Sequence, residues 1–101
     1  MSRDSRATGS AAHYARTVML SNPDGLHARS AAEFVKLAAR FPARVTINGK
    51  DARSLLAILS LGLMRGASCE IASDEESGRT AVDALAELVG SGFARQSVGV
   101  E

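Results

Sequence analysis

Apolar and polar residues alternate with two different periods along this chain, and the changes of period divide it into seven elements. Arg16 to Leu20 alternates with a period of two, Val18 and Leu20 facing in and Thr17 out, which predicts a strand that Met19 interrupts only mildly. From His27 to about Arg40 the period changes: Ala31, Phe34, Val35 and Ala38 recur at three- and four-residue steps, laying one apolar stripe along a helix, with Glu33 and Lys36 off it. Phe41-Pro42 stops that helix, because proline disfavours α conformation in the residue before it. Ala43 to Asn48 reads as a second strand with Val45 and Ile47 inward, and Asn48-Gly49 is a hairpin turn leading into a short edge strand over Lys50 to Arg53. A short helix follows Ser54 and ends at Gly62 and Gly66. Ala67 to Ser73 alternates again as a fourth strand, and about Gly78 to Val89 forms a last helix with Ala81, Val82, Leu85, Leu88 and Val89 on one face.

The order β-α-β-β-α-β-α implies helices stacked on one face of an antiparallel sheet, a two-layer α+β fold. Residues 1–14 are rich in Ser, Arg and Ala, lack sustained periodicity and are expected to be a flexible tail; residues 15–93 form the domain and 94–101 a short second tail. His13 lies in the first tail with no neighbour to set its chemistry and is expected to be a solvated bystander.

Composition narrows the class without naming it. With 46% apolar residues in 101, one small core is attainable. A formal charge of +1 and few aromatics argue against a nucleic-acid module, and the longest apolar run, Leu55 to Met64, is too short to span a bilayer. The single cysteine, Cys69, has no internal disulfide partner and is expected to be a buried strand residue in a cytoplasmic protein, no signal-peptide pattern being present. Two scattered histidines and one cysteine do not make a metal-ligand set.

Chemistry concentrates in Asn22-Pro23-Asp24-Gly25-Leu26-His27-Ala28-Arg29-Ser30, a turn that opens the first helix. A histidine there is most simply a cap, and Arg29 most simply a solvated first-turn residue. Together, however, they put an imidazole at the positive end of a helix dipole, beside the free N–H groups of Ala28, Arg29 and Ser30 and a guanidinium whose fork suits phosphate oxygens. Imidazole is a competent nucleophile near neutral pH, so the pattern points to a phosphohistidine site on His27. Leu55, Leu56 and Leu59 are too many leucines for one short helix to bury, and at least one is expected at the surface, in an apolar docking patch rimmed by Arg29, Lys36 and Arg40.

Gly25 to Arg29, followed by Ala31-Ala32 and Phe34-Val35-Lys36, resembles the active-site segment of the HPr family, the histidine-containing phosphocarriers of the bacterial sugar phosphotransferase system. Asn48-Gly49-Lys50 and the run from Ser54 to Leu63 resemble its strand-to-helix segment, and Ala84 to Val89 its last helix, so the likeness runs in order from about Arg16 to Phe93. It implies a four-stranded sheet in the order 1-4-2-3 under three helices. It also implies a carrier rather than an enzyme: enzyme I phosphorylates His27 through Nδ1, Arg29 contacts the phosphoryl oxygens, and the group passes to IIA components of sugar permeases, the exposed leucines docking both partners. A monomer without metal or organic cofactor is expected. Ser54 matches the family's regulatory serine, a target of HPr kinase in some bacteria, although capping alone accounts for it. Two other readings stay open: a regulatory paralogue that signals by its phosphorylation state, and an interaction module that has lost phosphotransfer.

The sequence departs from the family twice. Ser30 stands where proline usually follows the arginine, restoring a backbone N–H and adding a hydroxyl, so retained competence with altered phosphohistidine stability is expected. The link from Asn48-Gly49 to Ser54 is about two residues shorter than is common in the family, which shortens the third strand.

Overall fold

The computed structural model describes residues 13–93. The segments 1–12 and 94–101, read as tails, lie outside the described residues. The elements are β1 (Tyr14–Met19), α1 (Ala28–Ala38), β2 (Thr46–Ile47), β3 (Lys50–Asp51), α2 (Leu55–Leu59), β4 (Ser68–Ser73) and α3 (Gly78–Gly90). The strands form one antiparallel sheet in the order β1-β4-β2-β3. This is the two-layer α+β architecture expected from the order of elements.

One face of the sheet is dry. Cys69 and Ile71 of β4, Ile47 of β2 and Val45 before it are buried beneath Ala31 and Phe34 of α1, Ile58 of α2 and Ala81, Val82, Leu85 and Val89 of α3. The intervening residues Thr17, Met19, Ser68 and Glu70 are exposed, so the period-two pattern is read out as two faces. Cys69 sits in this core, and burial pushes its thiol above the usual 9.0, which keeps it protonated. Leu20 is fully buried just beyond β1, its N–H and C=O bonded to Ala67 and Gly66 at 2.8 and 2.7 Å.

Two boundaries differ from expectation. First, β1 starts at Tyr14, within the segment assigned to the first tail and two residues before Arg16. Its pairing with Ser73 and its side chain explain this: the phenol donates to Asp83 Oδ1 at 2.7 Å, and Arg79 of α3 lies 4.5 Å from the ring centroid. Those contacts reach across most of the chain, so local periodicity carries no sign of them. Even His13 acquires a partner, its Nδ1 lying 2.7 Å from Asp74 Oδ1 on the surface. Second, the ladder of β2 covers only Thr46–Ile47, although Ala52 N–H still donates to Val45 O at 2.9 Å and Asn48 N–H to Glu70 O at 2.8 Å. Asn48 and Gly49 both adopt positive φ (48° and 84°), the two-residue turn that matches strand twist, and β3 is correspondingly short.

The Tyr14 bond, with Arg16 Nη1 adding 3.2 Å to the same oxygen, holds the Asp83 carboxyl below its usual 3.8 and raises the Tyr14 phenol above 10.0. The depressed carboxyl contributes stability above its ordinary value that is lost as pH falls through its folded value. The raised phenol contributes stability below pH 10 that is lost as pH rises through its folded value. Thermal unfolding of Asp83→Asn followed from pH 2 to pH 11 is therefore expected to show a shallower loss at both extremes than the parent chain; equal slopes would remove this clasp as a pH-sensitive element.

Candidate functional site

The turn before α1 is built to hold His27 at the helix mouth. Gly25 N–H closes the turn onto Asn22 O at 3.0 Å, and the Asn22 side-chain amide donates back to Gly25 O. Gly25 has φ +68°, and a Cβ there would stand 2.6 Å from Leu63 O and 2.8 Å from Met64 Cα, so only glycine lets the turn lie against the segment between α2 and β4. Leu26 is buried, and its N–H donates to Leu63 O at 2.9 Å. With Leu26 anchored inward, His27 is left exposed.

His27 is the N-cap of α1, with extended backbone (φ −110°, ψ −173°) and a carbonyl that accepts the first helical bond from Ala31 N–H at 2.7 Å. Its Nδ1 accepts from the N–H of Arg29 at 3.2 Å. An amide only donates, so Nδ1 carries the lone pair and the ring proton sits on Nε2. The lone pair therefore points at the helix end where the dipole is positive and free donors converge. Ser30 completes a reciprocal box: its hydroxyl accepts from His27 N–H at 3.1 Å while its own N–H faces the imidazole. Ala28, at the first helical position, is exposed, and among the described residues neither its N–H nor the Arg29 guanidinium has an acceptor. Donors of the kind that hold anions at helix ends thus lie beside an exposed imidazole lone pair.

The remaining candidates lie elsewhere. Ser54 caps α2, its hydroxyl accepting from Ala57 N–H at 3.2 Å. Leu56 is 80% exposed and Leu55 38%, whereas Leu59 is half-buried against the core. Arg53 donates to the carbonyls of Phe41, Pro42 and Ala43 at 2.8 to 3.2 Å, which ties the start of α2 to the chain leaving α1. Helices α1 and α2 thus run in opposite directions. Lys36, in the last turn of α1, lies about 13 Å along the axis from His27, and Arg40 follows the C-cap Ala39. Both basic residues therefore stand towards the C-terminal end of α1, whereas Arg29 lies in its first turn beside His27.

One surface residue escaped the sequence reading. Met64 is 68% exposed, and its backbone lies against Gly25 in the turn before His27. The run Gly62-Leu63-Met64-Arg65-Gly66 reads only as a loop, and a methionine between two glycines was the available signal. Among the described residues no cluster of His, Cys, Asp and Glu could hold a metal ion, and no helix is long and apolar enough to cross a membrane.

Fold and site together define a small α+β protein with an exposed imidazole capping a helix N-terminus. A family model described as the phosphorylation site of the HPr component of the phosphotransferase system matches residues 14–91. The phosphocarrier protein HPr of Pseudomonas putida is 36% identical over 84 residues, covering 78% of this chain and 93% of that protein. That of Streptomyces coelicolor is 40% identical over 83 residues, covering 77% and 89%. The crystal structure of HPr from Bacillus anthracis superposes with a TM-score of 0.71 at 36% identity, covering 77% of this chain and 98% of that one. This chain belongs to the HPr family of the phosphotransferase system.

Substitution of Gly25 by alanine is expected to destabilise the chain by about 2 kcal/mol or more, from positive φ and from the clash with Leu63 and Met64. A urea denaturation midpoint equal to that of the parent would show that the turn does not need this close approach.

Proposed function

We propose that this chain carries a phosphoryl group on Nδ1 of His27, accepting it from enzyme I and delivering it to IIA components of sugar permeases. The observation that carries this reading is the direction of the Nδ1 lone pair, held against the N–H of Arg29 at the α1 terminus, in a chain of the HPr family.

The chemistry follows from that geometry. The Nδ1 lone pair attacks phosphorus, the donor's P–N bond breaks, and its electron pair returns to the donor ring nitrogen. The Nε2 proton stays on the His27 ring throughout. As Nδ1 becomes bonded to phosphorus, the N–H groups of Arg29 and Ser30 lose the lone pair as their acceptor and gain phosphoryl oxygens instead. The exposed Arg29 guanidinium supplies a second, mobile positive charge. Donor and acceptor both being phosphohistidines in this scheme, little driving force is consumed, and the protein's contribution is position and charge stabilisation. The backbone donors are fixed before the group arrives, so no reorganisation is needed when it does.

Partner docking is assigned to exposed Met64, whose backbone lies against the turn before His27, and to Leu55, Leu56 and half-buried Leu59 on α2, with Lys36 and Arg40 attracting acidic surfaces towards the end of α1. Ser54, capping that same helix next to exposed Leu55, is assigned as a regulatory phosphorylation site: a phosphate there suits a helix start and repels an acidic partner. The carrier acts as a cytoplasmic monomer.

The test uses the chain with enzyme I, radiolabelled phosphoenolpyruvate and a sugar IIA component. Acid-labile label on the parent chain, none on His27→Ala, and acceptance slowed at least about tenfold in Arg29→Ala are expected. Label retained by His27→Ala would overturn the assignment. Label that reaches His27 but passes to no IIA component would leave a regulatory paralogue in place of a sugar carrier.

A further inference from the structure

We infer that the Ser30 hydroxyl is a positioning residue for phosphoryl transfer at His27; this rests on the reading of His27 as the acceptor. Ser30 is only 6% exposed, so its hydroxyl works in a nearly dry place where an unmade hydrogen bond is expensive. Its oxygen accepts from the N–H of His27 at 3.1 Å, and its one proton lies within reach of Gly25 O at 3.2 Å and His27 O at 3.3 Å.

Each of these partners is itself committed. Gly25 O also receives the Asn22 side-chain amide, and His27 O receives Ala31 N–H, so the hydroxyl is the knot between the turn, the cap and the first turn of α1. Both the N–H and the C=O of His27 are thereby held, on either side of the bond from which the imidazole hangs. That fixes the extended backbone from which Nδ1 meets Arg29 N–H. Ser30 touches no reacting atom with this hydroxyl. It narrows the range of ring positions, which raises the fraction of encounters in which the lone pair faces phosphorus.

Without the hydroxyl, His27 N–H loses its acceptor and Gly25 O loses its link to α1. The turn keeps its own closure through Asn22, and the helix keeps its apolar face, so the fold persists while the ring gains freedom.

The experiment uses the intact chain and phosphoramidate, a small donor that needs no docking surface; the lone pair of Nδ1 attacks its phosphorus and ammonia leaves. Phosphorus NMR follows the new P–N bond, and proton NMR follows the Arg29 amide, which its bond to Nδ1 moves downfield. Ser30→Ala is expected to accept about fivefold more slowly, with the Arg29 amide returning upfield. Val82→Ala, which loosens the buried core at α3 and leaves the turn alone, is expected to change neither readout. Ser30→Ala with the parent rate and an unmoved Arg29 amide would overturn the inference, as would an equal slowing in Val82→Ala. A parent chain that takes no phosphoryl group on His27 would overturn the proposed function instead, while the Arg29 amide of Ser30→Ala would still decide whether Ser30 holds the ring.

Discussion

Every α-helix begins with amide donors that the helix itself cannot satisfy. In α1 the acceptor that answers one of them is the Nδ1 lone pair of His27, with the Ser30 hydroxyl returning a bond to the backbone of the cap. Most helices use a carboxylate, amide or hydroxyl oxygen for this purpose. In the proposed function the cap and the nucleophile are the same atom. Capping keeps the Nδ1 lone pair aimed at the helix terminus, and in the proposed function a phosphoryl group arriving there inherits the donors that the lone pair releases. No acidic residue occurs in the first turn of α1, where a carboxylate would compete for the same donors.

The rest of the molecule keeps that atom in place. Leu26 is pulled into the core beside it, and Gly25 is pressed against Leu63 and Met64. The segment between α2 and β4 thereby becomes a wall for the turn, and β4, the sheet's most fully paired strand, anchors the wall. At the other end of α1, Arg53 ties the chain after the helix to the start of α2. A helix of five residues has little stability of its own; α2 persists because Ile58 is buried, Ser54 caps it and Arg53 holds its approach. The price of that short helix is that Leu56 faces water.

Legibility followed the range of the interactions. The apolar stripes of α1 and α3, the Asn48-Gly49 turn, the Ser54 cap and the burial of Cys69 are local or periodic facts, and all were readable from the residues. The strand order was not readable from periodicity; it came through the family resemblance, since period two says which residues face inward but not which strand lies beside which. The start of β1 was misjudged because Tyr14 is held by Asp83 and Arg79, far along the chain. Lys36 and Arg40 were expected to rim the docking patch with Arg29, and they stand in the last turn of α1 and just past its C-cap. Met64 was missed because the only local signal, a methionine in a loop between two glycines, does not say that the loop lies against Gly25. For Ser30, the residue type marked a departure, but which way its hydroxyl turns depends on Gly25 O, five residues earlier and across a turn.

The sheet closes on one side with β3, two residues long, Lys50 and Asp51, both charged and both in water. An open strand edge is a template on which other chains can add, and its hazard grows with length, flatness and apolar character. This edge has none of the three. A neighbouring polypeptide would find a rung or two of backbone before the chain swings away to cap α2, so on this side of the sheet a partner meets side chains and is not recruited into the ladder.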